Sequence, residues 1–172
     1  MICWLRLISN YFKGSNISPS RQAGVILLLL RSMVHYSKPF IIVVWYRPPN
    51  SLYEAFSYLE NHVGRLDSEN VEFYVMGDVN CNMVLLSDTN YYLWSDITDP
   101  YGLQQLINEP VRVTDTTSTL RDLIYTNHDN KVVCSGVCHV RMSDYSLISA
   151  YRKLSIGVAS KRHTTIKYLQ KF

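Results

Sequence analysis

Acidic side chains are missing from the beginning of this 172-residue sequence, in which Glu54 is the first carboxylate. Residues 1–50 contain six lysines and arginines, residues 51–151 contain five together with all fourteen acidic residues, and residues 152–172 contain six more basic residues. No carboxylate ligand for a metal ion can therefore come from residues 1–50. An acidic centre between two basic segments fits contact with phosphate groups, and it fits a solvated basic tail equally well.

Long apolar segments are missing too. Residues 23–30 form a run of eight residues without a polar side chain, whereas a membrane-spanning helix needs about 20. This run predicts a buried strand or a short helix, and we expect no membrane partner. Residues 1–12 lack the basic, apolar and small-residue order of a secretory signal peptide, so we expect an intracellular protein, nuclear or cytoplasmic.

Cysteine is sparse, and the four cysteines form no regular framework that would predict a disulfide-stapled domain. Cys134, Cys138 and His139 have a spacing that zinc can use, but no second pair of ligands matches it. Reduced intracellular thiols are therefore the better interpretation. Hydrophobic residues at 47% and charged residues at 18% predict a globular chain, with a single domain as the expectation at this length.

What the sequence does contain is an alternation of strand and helix patterns. Residues 39–46 are β-branched and aromatic, which predicts a buried strand that ends at two prolines. Ser51 and Glu54 have the spacing of a capping box, and apolar residues at helical spacing predict a helix that continues to Leu66. Residues 71–76 predict the next strand, so the order indicates an α/β layer. Further along, the patterns predict a helix over 89–99 and strands near 119–126, 132–140 and 145–151.

Short polar motifs accompany these apolar runs. Asp78 and Asn80 follow the strand over 71–76 in the motif Gly-Asp-Val-Asn, which places a carboxylate and an amide at the rim of a sheet. An aspartate there can bind a hard cation or activate a water molecule, and an amide can position a phosphate without adding repulsive charge. A further motif, Ser-Asp-Tyr-Ser, occupies residues 143–146. Taken alone, each motif is also typical of an ordinary turn.

Asp122 lies within the apolar strand predicted over 120–125, where a charge is costly unless it is paired or bound to a metal ion. The alternatives are an ion pair with Arg112, Arg121 or Arg141, or a side chain that faces water. A carboxylate at this place is therefore either compensated by a neighbouring cation or part of a site.

As a set, these motifs resemble the endonuclease/exonuclease/phosphatase superfamily, and most closely the endonuclease domain of non-LTR (LINE-type) retrotransposons. The stretches that carry the resemblance are Tyr-Arg-Pro-Pro-Asn (46–50), Gly-Asp-Val-Asn (77–80), Tyr-Gly-Leu-Gln-Gln-Leu-Ile (101–107), Glu-Pro-Val-Arg-Val-Thr (109–114), Asp-Leu-Ile (122–124) and Ser-Asp (143–144). The resemblance covers residues 38–155, between an atypical N-terminal segment, 1–37, and a basic tail, 156–172. It implies an α/β (α+β) fold, a partial four-layer sandwich of two β-sheets flanked by helices.

The resemblance also implies a catalytic site at one rim of the sheets, where a phosphodiester would be hydrolysed with Mg²⁺ or Mn²⁺. By motif match, Asp78 would orient or deprotonate the attacking water, and Asn80 would hold the phosphate. Asp122 would orient a site histidine or support the network around it, and Tyr145 occupies the place of that histidine.

Three more residues have implied roles in binding. Tyr46 would hydrogen-bond the phosphate or the nucleophile region, and Asn50 would contact the nucleic-acid backbone. Asp144 would help to hold the metal ion. DNA is the implied partner, together with a reverse transcriptase once fused to the domain.

Two departures from the family pattern bear on catalysis. The family's early metal-binding glutamate has no counterpart before Glu54, so the domain is expected to be N-terminally incomplete. Tyr145 replaces a histidine that stabilises charge on the phosphate, and a phenol with a pKa near ~10 is neutral at neutral pH. The implied function is DNA nicking, impaired or inactive in this chain, with a metal ion that need not be retained. The alternatives are a non-catalytic remnant that binds nucleic acid weakly and a phosphatase-like member.

Overall fold

The computed structural model describes residues 20–22, 25–32, 38–49, 51–85, 87–139 and 144–153. Its strands are β1 (Ser20–Gln22), β2 (Val25–Ser32), β3 (Phe40–Tyr46), β4 (Phe73–Asp78), β5 (Gln104–Gln105), β6 (Arg112–Val113), β7 (Ser118–Thr119), β8 (Asp122–Thr126), β9 (Val132–Cys138) and β10 (Leu147–Arg152). Its helices are α1 (Glu54–Ser68) and α2 (Thr89–Thr98), with short 3-10 turns at Asp99–Tyr101 and Asp129–Lys131. The predicted strands and helices are present, with bounds that differ by a few residues.

Within the described residues, six strands form the main sheet in the order β1-β2-β3-β4-β8-β5. β3 and β4 are parallel and are joined through α1, whereas every other neighbouring pair is antiparallel. β9 pairs with β10, and β6 pairs with β7, in two small sheets. This topology brings Tyr46 at the end of β3, Asp78 at the end of β4 and Asp122 at the start of β8 to one edge of the main sheet.

Both helices cover one face of the main sheet. Val43 and Trp45 of β3 are fully buried there, and the Trp45 ring stacks on Tyr58 of α1 with centroids 6.4 Å apart. Trp94 of α2 meets Tyr125 of β8 edge-on at 5.6 Å. Burial of these large rings is the main apolar contribution to the core on this side.

The small β9–β10 sheet packs against the opposite face. Side chains alternate along a strand, so Phe40 and Tyr74 lie on the face away from the helices. Arg152 of β10 places its guanidinium 4.5 Å from the centre of the Phe40 ring. Its Nη2 also donates to Oε2 of buried Glu72 at 2.9 Å, and Lys131 Nζ donates to the same oxygen at 2.6 Å. Helices, main sheet and small sheet form the predicted α/β sandwich.

The start of α1 corrects one sequence prediction. Ser51 does not cap the helix, because its hydroxyl donates to the carbonyl of Pro48 at 2.7 Å and so closes the turn that follows β3. Tyr53 is the N-cap residue, without a side-chain cap hydrogen bond. Leu52 consequently lies outside the apolar face of the helix and is 68% exposed. The buried face consists of Phe56, Leu59, Val63 and Leu66.

The main sheet begins before residue 38. β2 pairs with β3 along the whole length of β3, from Ile26 opposite Tyr46 to Ser32 opposite Phe40. The apolar run 23–30 is therefore largely a strand, and Leu27 is buried within it. Residues 1–19 and the basic tail 156–172 lie outside the described residues.

No helix of the described residues combines the length and the apolar character that crossing a membrane requires. Cys81, Cys134 and Cys138 are free thiols. Cys81 is buried beneath the end of β4, whereas Cys134 and Cys138 are exposed on β9. No group of three or more metal-ligating side chains forms in the part of the chain that the structure describes.

Candidate functional site

A small polar pocket opens at the sheet edge where β4 ends and β8 begins. Eight residues line it: Asp78, Asn80, Val111, Arg112, Thr119, Arg121, Asp122 and Tyr145. Its cavity volume is about 50 Å³, several times the roughly 10–15 Å³ that one water molecule needs. The pocket brings together the four predicted catalytic residues from three separate segments of the sequence.

Asp78 and Asp122 are direct partners in the antiparallel β4–β8 ladder. Partners in register point to the same face of a sheet, so two carboxylates lie side by side at the pocket. Burial, and then the negative charge of Asp78, raise the pKa of Asp122 to about 6. Burial also raises the pKa of Asp78, against the Asn80 backbone N–H and the charges of Arg121 and Arg47, which lower it. The pair therefore holds a proton more readily than two isolated aspartates do.

We expect Asp122→Asn to stabilise the fold near pH 8. The pKa of Asp122 rises from 3.8 to about 6 on folding, so its stabilising contribution is present at low pH and is lost as the pH rises through about 6. Removing the charge should raise the free energy of unfolding by about 1–3 kcal/mol near pH 8, after allowance for partial exposure. The gain should vanish near pH 4, and urea denaturation at both pH values measures it.

The control for this experiment is Asp115→Asn, since Asp115 is exposed on the loop between β6 and β7. It should change stability by no more than about 0.5 kcal/mol at either pH. A loss of stability near pH 8 in Asp122→Asn would contradict the prediction, because it would mean that the carboxylate makes favourable contacts that outweigh its repulsion from Asp78.

Asn80 sits in a left-handed backbone conformation, with φ of 50°. Its backbone N–H donates to Asp78 Oδ1 at 2.9 Å, which fixes the orientation of that carboxylate. Its side-chain Nδ2 donates to the carbonyl of Arg47 at 2.7 Å, and its Oδ1 accepts from Arg121 Nη1 at 3.5 Å. Asparagine tolerates this conformation better than most residues, so the residue serves the turn as well as the pocket.

Arg47 is a residue that the sequence reasoning missed. It is 3% exposed, and its guanidinium stacks over the Phe56 ring at 4.6 Å. Nε donates to the carbonyl of Val79 at 2.9 Å, and Nη2 donates to the carbonyl of Asn80 at 3.3 Å. Its backbone N–H donates to the carbonyl of Asp78 at 3.0 Å. Arg47 thus connects the end of β3 to the end of β4 and the turn after it, where Asp78 and Asn80 lie. The sequence feature that could have identified Arg47 is its position between Tyr46 and two prolines, in one of the stretches that carry the family resemblance.

Tyr145 enters the pocket from the segment before β10. It forms a β-bridge with Arg112, whose guanidinium lies 5.2 Å from the centre of the Tyr145 ring. The Nε of Arg112 is buried and has no hydrogen-bond partner among the described residues. An ion pair between Arg112 and Asp122 was one of the alternatives that the sequence left open, and no such pair forms in the described residues.

The remaining predicted site residues lie beside the pocket or beyond the described residues. Tyr46 is 39% exposed at the end of β3, next to Asp78 along the sheet edge but outside the lining. Asp144 is exposed, and its backbone carbonyl accepts from the N–H of Val113 at 3.3 Å. Asn50 lies outside the described residues. The binding and metal roles implied for these three residues stay predictions.

The pocket does not fit a resident divalent cation. Mg²⁺ takes oxygen ligands in octahedral geometry. The side chains of the described lining offer two carboxylates, the amide oxygen of Asn80 and the hydroxyls of Thr119 and Tyr145. The guanidinium groups of Arg112 and Arg121 line the same cavity. Two fixed positive charges beside a partly buried cation would oppose its binding.

Among the comparisons with known proteins, one solved structure supports the fold. No protein-family model matches the sequence, and no curated protein matches it. The structure is similar to the endonuclease domain of TRAS1, a telomere-specific non-LTR retrotransposon, with a TM-score of 0.58, 16% identity, and coverage of 81% of this chain and 68% of that chain. An endonuclease/exonuclease/phosphatase family protein from Leptotrichia buccalis C-1013-b gives a TM-score of 0.49 at 13% identity, over 76% of this chain and 54% of that chain. The first likeness confirms the expected α/β sandwich, and at this identity it establishes the fold alone.

Proposed function

We propose that this chain is an endonuclease/exonuclease/phosphatase-type domain of retrotransposon kind that contacts DNA and has lost most of its hydrolytic activity. The ancestral reaction under this proposal is metal-assisted hydrolysis of a DNA phosphodiester. The observation that supports it is the convergence of Asp78, Asn80, Asp122 and Tyr145 on one pocket. These are the residues that the family resemblance assigns to one catalytic site.

Part of the catalytic apparatus remains in place. Asp78 is oriented by the N–H of Asn80, and the pKa of its neighbour Asp122, about 6, lies close to neutral pH. A carboxylate with such a pKa is suited to accept a proton from an attacking water molecule. Under this proposal, Asp78 and Asp122 could therefore still position and deprotonate an attacking water molecule.

The positive charge that a histidine would place at position 145 is what this chain lacks. Tyr145 can donate one hydrogen bond, but a phenol side chain cannot provide a positive charge, whereas a histidine can. Replacing a positioned acid or base typically costs about 10²–10⁴ in rate. No acidic residue precedes Glu54 in this chain, so the early glutamate of the family pattern has no counterpart here.

We expect no appreciable nicking of supercoiled plasmid by the purified chain in Mg²⁺, and no rescue by Tyr145→His alone. Two independent deficits, the missing histidine at position 145 and the missing early glutamate, explain this result, because repairing one leaves the other. The measurement is conversion of supercoiled to open-circular DNA, with Asp78→Ala as the background. Thermal melts of each variant establish that the proteins compared are folded.

Two results would count against this expectation. Metal-dependent nicking by the wild-type chain above the Asp78→Ala background would show that the domain is an active nuclease. Rescue by Tyr145→His would show that the pocket already binds its metal ion without the early glutamate.

A further inference from the structure

We propose that Arg112 supplies the positive charge of this pocket and that Arg112 and Arg121 together hold a phosphate group of DNA without a divalent metal ion. The inference rests on the proposed function, since it names the group at the same pocket that contacts the DNA backbone. It assigns a binding role to two residues to which the family resemblance gives no role.

The surroundings of the Arg112 guanidinium suit the binding of an anionic ligand. The guanidinium lines the pocket and is held beside the Tyr145 ring, 5.2 Å from its centre. Stacking on an aromatic ring fixes the plane of a guanidinium without using its N–H groups. Its Nε is buried and has no partner among the described residues. A buried donor without a partner is costly, and a phosphate oxygen in the cavity would satisfy it.

Arg121 reaches the pocket from the residue before β8. Its Nη1 lies 3.5 Å from Oδ1 of Asn80, at the limit of a hydrogen bond, so most of its donors stay available. Its backbone is held in place just before β8, since the backbone N–H of Val79 donates to the carbonyl of Arg121 at 3.1 Å. The backbone position of Arg121 is therefore fixed, and its side chain is exposed.

In the described part of the chain, the positive charges of Arg112 and Arg121 are not neutralised through ion pairs with the neighbouring aspartates. Of the ion pairs among the described residues, none joins Arg112 or Arg121 to Asp78 or Asp122. Guanidinium groups favour phosphate because their parallel N–H groups match two phosphate oxygens. The cavity, with room for several water molecules, admits the oxygens of one phosphate. The guanidinium donors and the space of this pocket thus suit a phosphate oxyanion.

The test is binding of a fluorescein-labelled DNA duplex, followed by fluorescence anisotropy in EDTA at low ionic strength. Arg112→Gln should raise the Kd by about 10–100-fold, which is the usual effect of losing a charge-assisted contact. Arg112→Lys keeps the charge without the paired donors, so it should recover part of the affinity. Arg121→Gln should also weaken binding, by a smaller factor because this side chain is exposed.

The matched control is Arg65→Gln. Arg65 is an exposed arginine of α1, paired with Glu69 at 3.0 Å and distant from the pocket. It removes the same unit of charge, so any change in its affinity, expected to stay within about twofold, measures the general electrostatic contribution. Equal losses in Arg65→Gln and Arg112→Gln would overturn the inference, since binding would then follow net charge alone.

Asn80→Ala separates this inference from the proposed function. If Asn80→Ala weakens DNA binding and Arg112→Gln does not, the pocket contacts DNA but Arg112 is not its cation, and only the inference fails. If neither substitution has an effect, or the wild-type chain does not bind DNA, both fail. Weakening by Arg112→Gln, with partial recovery by Arg112→Lys and an unchanged melting temperature, supports the inference.

Discussion

Gly77→Ala is expected to prevent this chain from folding stably. Gly77 has φ of +137°, a region that side chains rarely adopt, and an added Cβ would lie 2.0 Å from the carbonyl oxygen of Trp45. Trp45 belongs to β3, the parallel neighbour of β4, so relief would require the two central strands to separate. We expect a loss of more than about 4 kcal/mol, a large part of the stability of a small domain.

Urea denaturation followed by tryptophan fluorescence measures this loss, since Trp45 and Trp94 are both buried. The matched control is Gly136→Ala in β9, where an added Cβ meets no atom within 4 Å. That variant should unfold within about 0.5 kcal/mol of the wild type. A cooperative transition of Gly77→Ala near that of Gly136→Ala would show that β3 and β4 tolerate a wider separation than the structure indicates.

Glu72→Gln is expected to cost about 3 kcal/mol at neutral pH. Glu72 is 5% exposed and accepts hydrogen bonds from Arg152, Lys131 and the hydroxyl of Tyr74. Although burial opposes its charge, its two cationic partners lower the pKa of Glu72 from 4.5 to about 2, a difference that corresponds to about 3 kcal/mol. Removing the carboxylate would leave two partly buried cations without their partner.

The pH dependence of this loss follows from the direction of the pKa shift. Because the pKa of Glu72 is lower in the folded state, its contribution is fully present above pH 4.5 and is lost as the pH falls towards about 2. Urea midpoints of Glu72→Gln and wild type should therefore differ at pH 7 and converge in acid. Glu69→Gln, which breaks an exposed pair on α1, is the control and should cost no more than about 0.5 kcal/mol. An equal cost for both variants at pH 7 would contradict the prediction.

Much of the candidate site could be predicted because its chemistry lies in short motifs at strand ends. Asp78 ends an apolar strand, Asn80 follows it, and Asp122 begins another one. A strand pattern fixes which residues emerge at a sheet edge, since the period of two is local in the sequence. The capping role predicted for Ser51 was wrong because the competing acceptor, the carbonyl of Pro48, depends on how the chain turns after β3.

The contacts that hold and charge the pocket could not be predicted in the same way. Arg47 and Val79 lie 32 residues apart in the sequence and are joined by a hydrogen bond. Glu72 and Arg152, 80 residues apart, form an ion pair. Such partners are chosen by sheet order and by the packing of separate layers, and neither has a local pattern. Arg112 likewise acquires its place beside Tyr145 only through the β-bridge between their segments.

The sequence by itself determined the class of fold, most of the strands and the identity of the polar residues at the sheet edge, because propensity and periodicity act over a few residues. It also determined that Tyr145 cannot provide a positive charge, since that is a property of the side chain. Only the tertiary structure decided that Asp78 and Asp122 are direct neighbours, that Arg47 clamps their turn and that two guanidinium groups share the pocket. These features depend on register and on long-range pairing, where one strand meets another that is distant in the chain.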